Sequence, residues 1–317
     1  VKILVVGAGA VGSVFGGRLS GAGHAVQLLG RPEHVRAIRA HGLRVEGTSP
    51  GMFHPDALSD LADATEPEIV LLTVKTFDIA SAVGALVRRF PCPRPTLLPQ
   101  NGLNVENLVA QSLRSGGGTA PLPWLVRAVN TVPVTWVGPG VVRQAGAGEL
   151  VLRDPSVAHP AADAARVLRD LFSAAGISVR TVPDLERELW RKSLVNAAIN
   201  PVTAIHRVPN GRLLEYPYRE ESVRLLREAQ RAAQAAGFPF EDSEADGDLE
   251  RVVRATAENR SSMLQDIERR RPTEIDAISG EILATALAHG FDLPESRAVI
   301  ERLRATVGES SERPQSS

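Results

Sequence analysis

At 317 residues, with 36 basic and 37 acidic side chains, the chain is long for a single hydrophobic core and lacks the global field that nucleic acid or an anionic membrane would demand. A single cysteine, Cys92, excludes a disulfide framework and a cysteine-rich metal centre and suits a reducing cytoplasm. No stretch approaches the roughly 20 apolar residues of a membrane helix, and the first apolar run passes straight into a glycine loop instead of a targeting segment. The expectation is a soluble cytoplasmic protein of two domains, without nucleic-acid or membrane partners.

The first half alternates short apolar runs with helical stretches. Ile3–Val6, Ala25–Leu29, Ile69–Val74 and Thr96–Leu98 read as buried strands of a parallel sheet. The run 115–118, followed by Pro121 and Pro123, has the composition of a surface loop. Gly138–Val142 and Gly148–Leu152 read as further strands joined by turns that close the first domain. Beyond about Val182 the strand runs give way to amphipathic stretches rich in Ala, Arg, Glu and Leu. The fold class is therefore an α/β Rossmann-type dinucleotide-binding domain over residues 1–183, followed by an all-α domain over 184–317. The polar tail from Gly308 to Ser317 reads as frayed.

Gly7-Ala8-Gly9-Ala10-Val11-Gly12 follows the first strand at once and opens a helical pattern. In that context Gly7 allows the tight turn, Gly9 lets backbone approach a pyrophosphate, and Gly12 lets helix pack on strand. The next strand ends in Leu29-Gly30-Arg31 with no acid to receive an adenosine ribose. A guanidinium there can pair with the 2′-phosphate of NADPH, the alternative being a solvated surface charge. Lys75 and Asn101 both lie just past the carboxyl ends of strands, the edge where open α/β sheets bind ligands. Lys75 is equally well read as a solvated lysine, and Asn101-Gly102 as a plain turn.

In the helical half Lys192, Asn196 and Asn200 recur every four residues, which stacks them on one helical face among apolar neighbours. Buried amides and a lysine so placed need polar partners, and one polar site would serve all three. The alternative is a lysine that snorkels to solvent beside two bridging asparagines. Pro201 predicts an end or a kink of this helix at Asn200. Ser261–Ile267 reads as helix and Thr273–Asp276 as the capped start of another. Taken alone, Ser262 reads as a surface hydroxyl and Glu274 as a carboxylate complementing a helix dipole.

These residues together closely resemble the ketopantoate reductase (2-dehydropantoate 2-reductase) family. The likeness runs from the glycine loop through Val74-Lys75, Asn101-Gly102, Glu188–Lys192, Val195-Asn196, Ile199–Ile205, Pro209–Gly211, Ala255–Asn259 and Ser261–Ile267, covering residues 1 to about 300. The resemblance implies NADPH as cofactor and a small 2-oxo acid, ketopantoate, as substrate, reduced for pantothenate and coenzyme A synthesis. It implies that Lys192 donates the proton, that Asn101, Asn196, Asn200, Asn210 and Ser262 hold substrate, and that Glu274 is a catalytic group near both reactants. Gly7 to Gly12, Arg31, Lys75, Asn101 and Glu274 would line the cofactor, no metal is needed, and a homodimer is left open. Residues 130–136 depart from the family pattern and 112–124 read as an insertion. A reductase of another branched 2-oxo acid, and a non-catalytic NADP-binding redox sensor, are the alternatives.

Overall fold

The computed structural model describes residues 1–92, 94–115 and 124–312. Its contacts divide the chain into two units, one of residues 1–100 with 105–185 and one of residues 101–104 with 186–317. The loop read for residues 115–118, Pro121 and Pro123 falls almost wholly outside the described residues.

In the first unit the elements run β1 (Lys2–Val6), α1 (Ala10–Gly21), β2 (Ala25–Leu29), α2 (Pro32–His41), β3 (Leu43–Gly47), β4 (Gly51–Phe53), β5 (Asp56–Leu58), β6 (Ile69–Leu72), α3 (Ile79–Arg89), β7 (Thr96–Leu98) and α4 (Val105–Ser115). They continue with β8 (Leu125–Asn130), β9 (Val134–Gly138), β10 (Val141–Gln144), β11 (Glu149–Arg153), α5 (Ala162–Ala174) and β12 (Ser178–Val182). The main sheet has the order β12-β11-β8-β7-β6-β1-β2-β5 and is parallel except where β8 meets β11. Both faces of β1 are covered, Ile3 and Val5 in one apolar cluster and Leu4 and Val6 in another. That is why the strand reads as a continuous apolar run instead of an alternating one. Strand order reverses beside β1, which places the turn after it at the switch point of the sheet.

β9 and β10 join β3 and β4 in a separate four-stranded sheet, while Gly148–Leu152 becomes β11 of the main one, so the two late strand runs serve different sheets. The small sheet packs on α1, where Gly17 and Gly21 leave room for the Phe53 ring: a Cβ would lie 3.1 and 2.8 Å from it.

The second unit contains α6 (Leu185–His206), α7 (Tyr218–Ala235), α8 (Asp242–Ala255), α9 (Ser262–Glu268), a π-helical segment Asp276–Gly280, α10 (Glu281–Ala288) and α11 (Pro294–Glu312). Its core gathers Leu194, Ala198 and Val202 of α6 with Leu225, Leu226, Ala229 and Ala233 of α7 and Ile282 of α10. Of the end or kink that the proline predicts at Asn200, the end does not occur; α6 continues through Pro201 to His206. Proline removes one backbone donor, but Val202 and Ala204 beyond it are buried, and the Thr203 hydroxyl bonds back within the helix to the Ile199 carbonyl at 2.9 Å. α11 stays helical to Glu312, through the first part of the tail read as frayed; residues 313–317 lie outside the described residues. Among the described residues no helix is long and apolar enough to cross a membrane.

Candidate active site

The glycine loop separates what the fold needs from what a ligand needs. Gly7 has φ +109°, and a Cβ there would lie 2.7 Å from the Val74 nitrogen. A Cβ on Gly12 would lie 2.3 Å from the Gly7 carbonyl oxygen and 2.5 Å from the Thr73 hydroxyl, which itself bonds that carbonyl at 2.8 Å. Both glycines are thus required by the close approach of α1 to the strand ends. Gly9 is different, because its Cβ would meet nothing nearer than 4.0 Å. The space above it stays open, as a cradle for a pyrophosphate would be.

Gly9 is also the N-cap of α1, with no side-chain cap and no acidic residue in the first turn. The helix begins its own bonding with Ser13 N–H to the Gly9 carbonyl, so the amides of Ala10, Val11 and Gly12 precede the first internal bond and suit an anion. The N–H groups of Gly7 and Ala8 bond the Leu29 carbonyl at 3.1 and 2.8 Å, strapping the loop to the end of β2. Arg31 is two residues further on, exposed, as the extended N-cap of α2. Lys75, half-buried, precedes a short 3-10 turn (Thr76–Asp78) after β6. The residues therefore fit a dinucleotide: amides and dipole for the phosphates, an open space over Gly9, and a guanidinium at the end of β2.

Two buried side chains that the sequence reading did not single out hold this edge. Gln100 donates to the Leu72 and Val74 carbonyls at 2.6 and 3.2 Å, and Arg127 donates to the Leu98 and Gln100 carbonyls at 2.8 and 2.7 Å. They close the carboxyl ends of β6 and β7, where carbonyls would otherwise lack donors. A lone cation inside the apolar run Leu125-Val126-Arg127-Ala128-Val129 was the available signal.

In the second unit Lys192 and Asn196 are half-buried and Asn200 is buried, all on one face of α6. Beside them Arg191 and Arg187 both bond Glu244 of α8, at 2.5 and 2.8 Å, which pins the N-terminal half of α6. The start of α9 is tied to α6 through hydroxyls: Ser261 Oγ lies 2.7 Å from Thr203 Oγ1 and accepts the Leu264 N–H at 3.1 Å. Ser262, exposed, is the first residue of α9 and is placed by that tie.

Asn210 is anchored by its backbone, whose N–H donates to the Asn259 carbonyl at 2.9 Å. Its Nδ2 donates to Thr256 Oγ1 at 2.9 Å, and Thr256 spends its own proton on the Val252 carbonyl at 2.7 Å. The amide orientation is therefore fixed, and Asn210 Oδ1 is left buried without a partner among the described residues. An acceptor in that state costs free energy unless something donates to it.

Glu274 is buried, and its Oε2 accepts from Asn101 Nδ2 at 3.3 Å. The residues brought together here are 173 apart in sequence. Asn101 belongs to the helical unit, carried in a four-residue segment. Gly102, at φ +96°, lies against the Ala277 carbonyl, where a Cβ would stand 2.4 Å away, and Leu103 packs on the helical core. Glu281 hydrogen-bonds Asn104; burial pushes its carboxyl above the usual range, with the Asn104 bond opposing. The helix expected to start at Thr273–Asp276 begins at Ile275, without a side-chain cap, and runs through a π turn over Asp276–Gly280, a form often found at functional sites.

Models of the ketopantoate reductase PanE/ApbA family match residues 3–156, and models of its C-terminal part match 184–307. The chain belongs to the ketopantoate reductase family. A 2-dehydropantoate 2-reductase of Halobacterium salinarum is 33% identical over 313 residues, covering 96% of this chain and 98% of that one. A PanE/ApbA family ketopantoate reductase from Ralstonia eutropha superposes with a TM-score of 0.86 at 32% identity, over 98% of this chain and 100% of that one. D-mandelate dehydrogenase, solved with NADH and anilino(oxo)acetate, shares the fold with a TM-score of 0.88 at 22% identity over 99% of this chain and 100% of that one. The family is one of dinucleotide-binding reductases acting on small molecules.

Proposed function

We propose that this protein reduces 2-dehydropantoate to pantoate with NADPH, in the synthesis of pantothenate and coenzyme A. The reading is carried by the Lys192-Asn196-Asn200 face, complete in a chain matched along nearly its whole length by the family. NADPH, when bound, supplies the hydride that C2 of the 2-oxo acid accepts. Negative charge then develops on the ketone oxygen; the Lys192 ammonium stabilises it and delivers the proton that completes the alcohol. Asn196, Asn200, Asn210 and Ser262 orient the substrate, Asn210 through its unmet Oδ1. Glu274 and Asn101 act as a bonded pair beside the reactants.

For the cofactor, Gly7 to Gly12 take the pyrophosphate, Lys75 adds positive charge, and Arg31 takes the 2′-phosphate. The absence of an acid in the Leu29-Gly30-Arg31 turn supports NADPH over NADH. Steady-state rates with both cofactors across a panel of 2-oxo acids test both halves. The expected result is the highest kcat/KM for ketopantoate with NADPH. A better branched or aryl 2-oxo acid would remove the substrate, and a preference for NADH would remove the 2′-phosphate role of Arg31.

A further inference from the structure

His34 lies in the first turn of α2, three residues after Arg31, and is completely buried. Its ring packs on Trp136 with centroids 4.3 Å apart. Nδ1 faces the Gly140 N–H at 2.8 Å, and a backbone amide can only donate, so Nδ1 is the acceptor. A neutral ring then carries its proton on Nε2 and donates it to Ser13 Oγ at 3.0 Å. Ser13 in turn donates to the Ala8 carbonyl, 3.3 Å away. The direction of every bond is fixed, from the turn between β9 and β10, through the imidazole and α1, into the glycine loop.

The circuit closes on the other side. A Cβ on Gly30 would stand 2.7 Å from the Ala8 side chain and 3.8 Å from His34 Cδ2. Gly30 is thus pressed against the loop whose carbonyl His34 bonds through Ser13, and Arg31 is the next residue along the chain. The Arg31 carbonyl accepts the Val35 N–H at 3.0 Å, so its backbone moves with the first turn of α2. None of this is needed to close a core, since an apolar ring would fill the same volume without two directed bonds.

We infer that His34 is a positioning residue which, through Ser13, holds Arg31 against the glycine loop in the geometry that selects the 2′-phosphate of the dinucleotide. The inference rests on the NADPH reading given above. His34 touches neither reactant; it acts by fixing the spacing between the pyrophosphate cradle and the guanidinium.

Two conservative variants divide the circuit. In His34→Asn the amide oxygen can replace Nδ1 toward Gly140, but nothing reaches Ser13. In His34→Gln the longer amide can replace Nε2 toward Ser13. Binding of NADPH and NADH is measured by fluorescence titration, alongside kcat and KM, with circular dichroism and Tm to verify folding. His34→Asn is expected to weaken NADPH about tenfold while moving NADH less than about threefold and kcat less than about twofold, with His34→Gln recovering most of the loss. Adenosine 2′,5′-bisphosphate should lose affinity in parallel while 5′-AMP does not. Should His34→Asn fail to fold, Ser13→Ala breaks the same link and carries the same expectation. Equal weakening of both cofactors, no weakening of either, or a fall in kcat alone would overturn the assignment. If the wild-type protein itself does not prefer NADPH, the cofactor reading fails first, and that is seen before any variant is made.

Discussion

Gly9 and Gly12 stand three residues apart and answer to different constraints. An added Cβ at Gly12 would collide with backbone at 2.3 Å, whereas one at Gly9 would project into open space. Gly12→Ala is expected to destabilise the fold by about 2–4 kcal/mol in urea unfolding, through backbone displacement. Gly9→Ala should cost no more than about 1 kcal/mol in stability yet weaken NADPH binding roughly tenfold or more, because it fills the space a pyrophosphate would take. A large stability loss at Gly9, or intact binding, would show that this space is not the phosphate cradle. Lys192 belongs to the same scale. Lys192→Ala should lower kcat about 10²–10⁴-fold with NADPH affinity within about twofold, the range for loss of a positioned general acid. Unchanged turnover would refute the proton-donor role.

At the scale of elements, the start of α9 shows how a site residue is placed by its neighbour. Ser261 caps Leu264 N–H and meets Thr203 of α6, so one hydroxyl both begins the helix and anchors it. Ser261→Ala should cost about 1–2 kcal/mol from loss of the cap and the buried bond. It should also raise KM for the 2-oxo acid with kcat less affected, as Ser262 loses its anchor; Ser261→Thr should restore both. An unchanged KM in a folded Ala variant would separate Ser262 from the substrate. This scale also marks what the sequence could convey. β1 and β6 are legible because burial on both faces leaves unbroken apolar runs, and β2 and β7 because Val26, Leu28, Leu97 and Leu98 are buried within short apolar stretches. β3 and β4 are not, because one reads Leu-Arg-Val-Glu-Gly and the other is three residues long, and the sheet they form is completed by the distant β10 pairing with β3. The four-residue period of Lys192, Asn196 and Asn200 survives in α6, and the helix continues through Pro201 because burial on both sides of it outweighs one missing donor. The pairing of Asn101 with Glu274, and the relay from His34 to Ala8, have no local pattern at all; both join residues that only the chain's long-range path brings together.

At the scale of the whole molecule, the buried imidazole couples stability to pH. His34 belongs to the α/β unit, whose core is distinct from the helical one. Burial holds its pKa down at about 4, while in the unfolded chain the ring takes up a proton near pH 6.5. Between those values the unfolded state binds a proton that the native state refuses. Stability from this group is therefore complete above about pH 6.5 and declines as pH falls toward 4. At about 1.4 kcal/mol per pH unit, the loss accumulates to about 3 kcal/mol at the acid end. His24, also lowered by burial and by the nearby N-terminal charge, contributes with the same sign. Glu46, Asp154 and Asp292 are held below the ordinary carboxylate range by hydrogen bonds, chiefly from Arg143, Ser156 and Arg297 respectively, so their losses begin lower on the scale. These groups are present in both wild type and His34→Phe and cancel when the two are compared. His34→Phe keeps an aromatic ring against Trp136 and cannot be protonated. It should be less stable than wild type at about pH 7.5, for want of the bonds to Ser13 and Gly140, but this deficit should shrink by about 3 kcal/mol as the medium approaches pH 4. Urea titrations at a series of pH values give the difference curve, followed by tryptophan emission, to which Trp136 beside His34 contributes. A difference independent of pH would mean that the native imidazole accepts a proton as readily as the unfolded one, and that the bond from Gly140 to Nδ1 does not fix its tautomer.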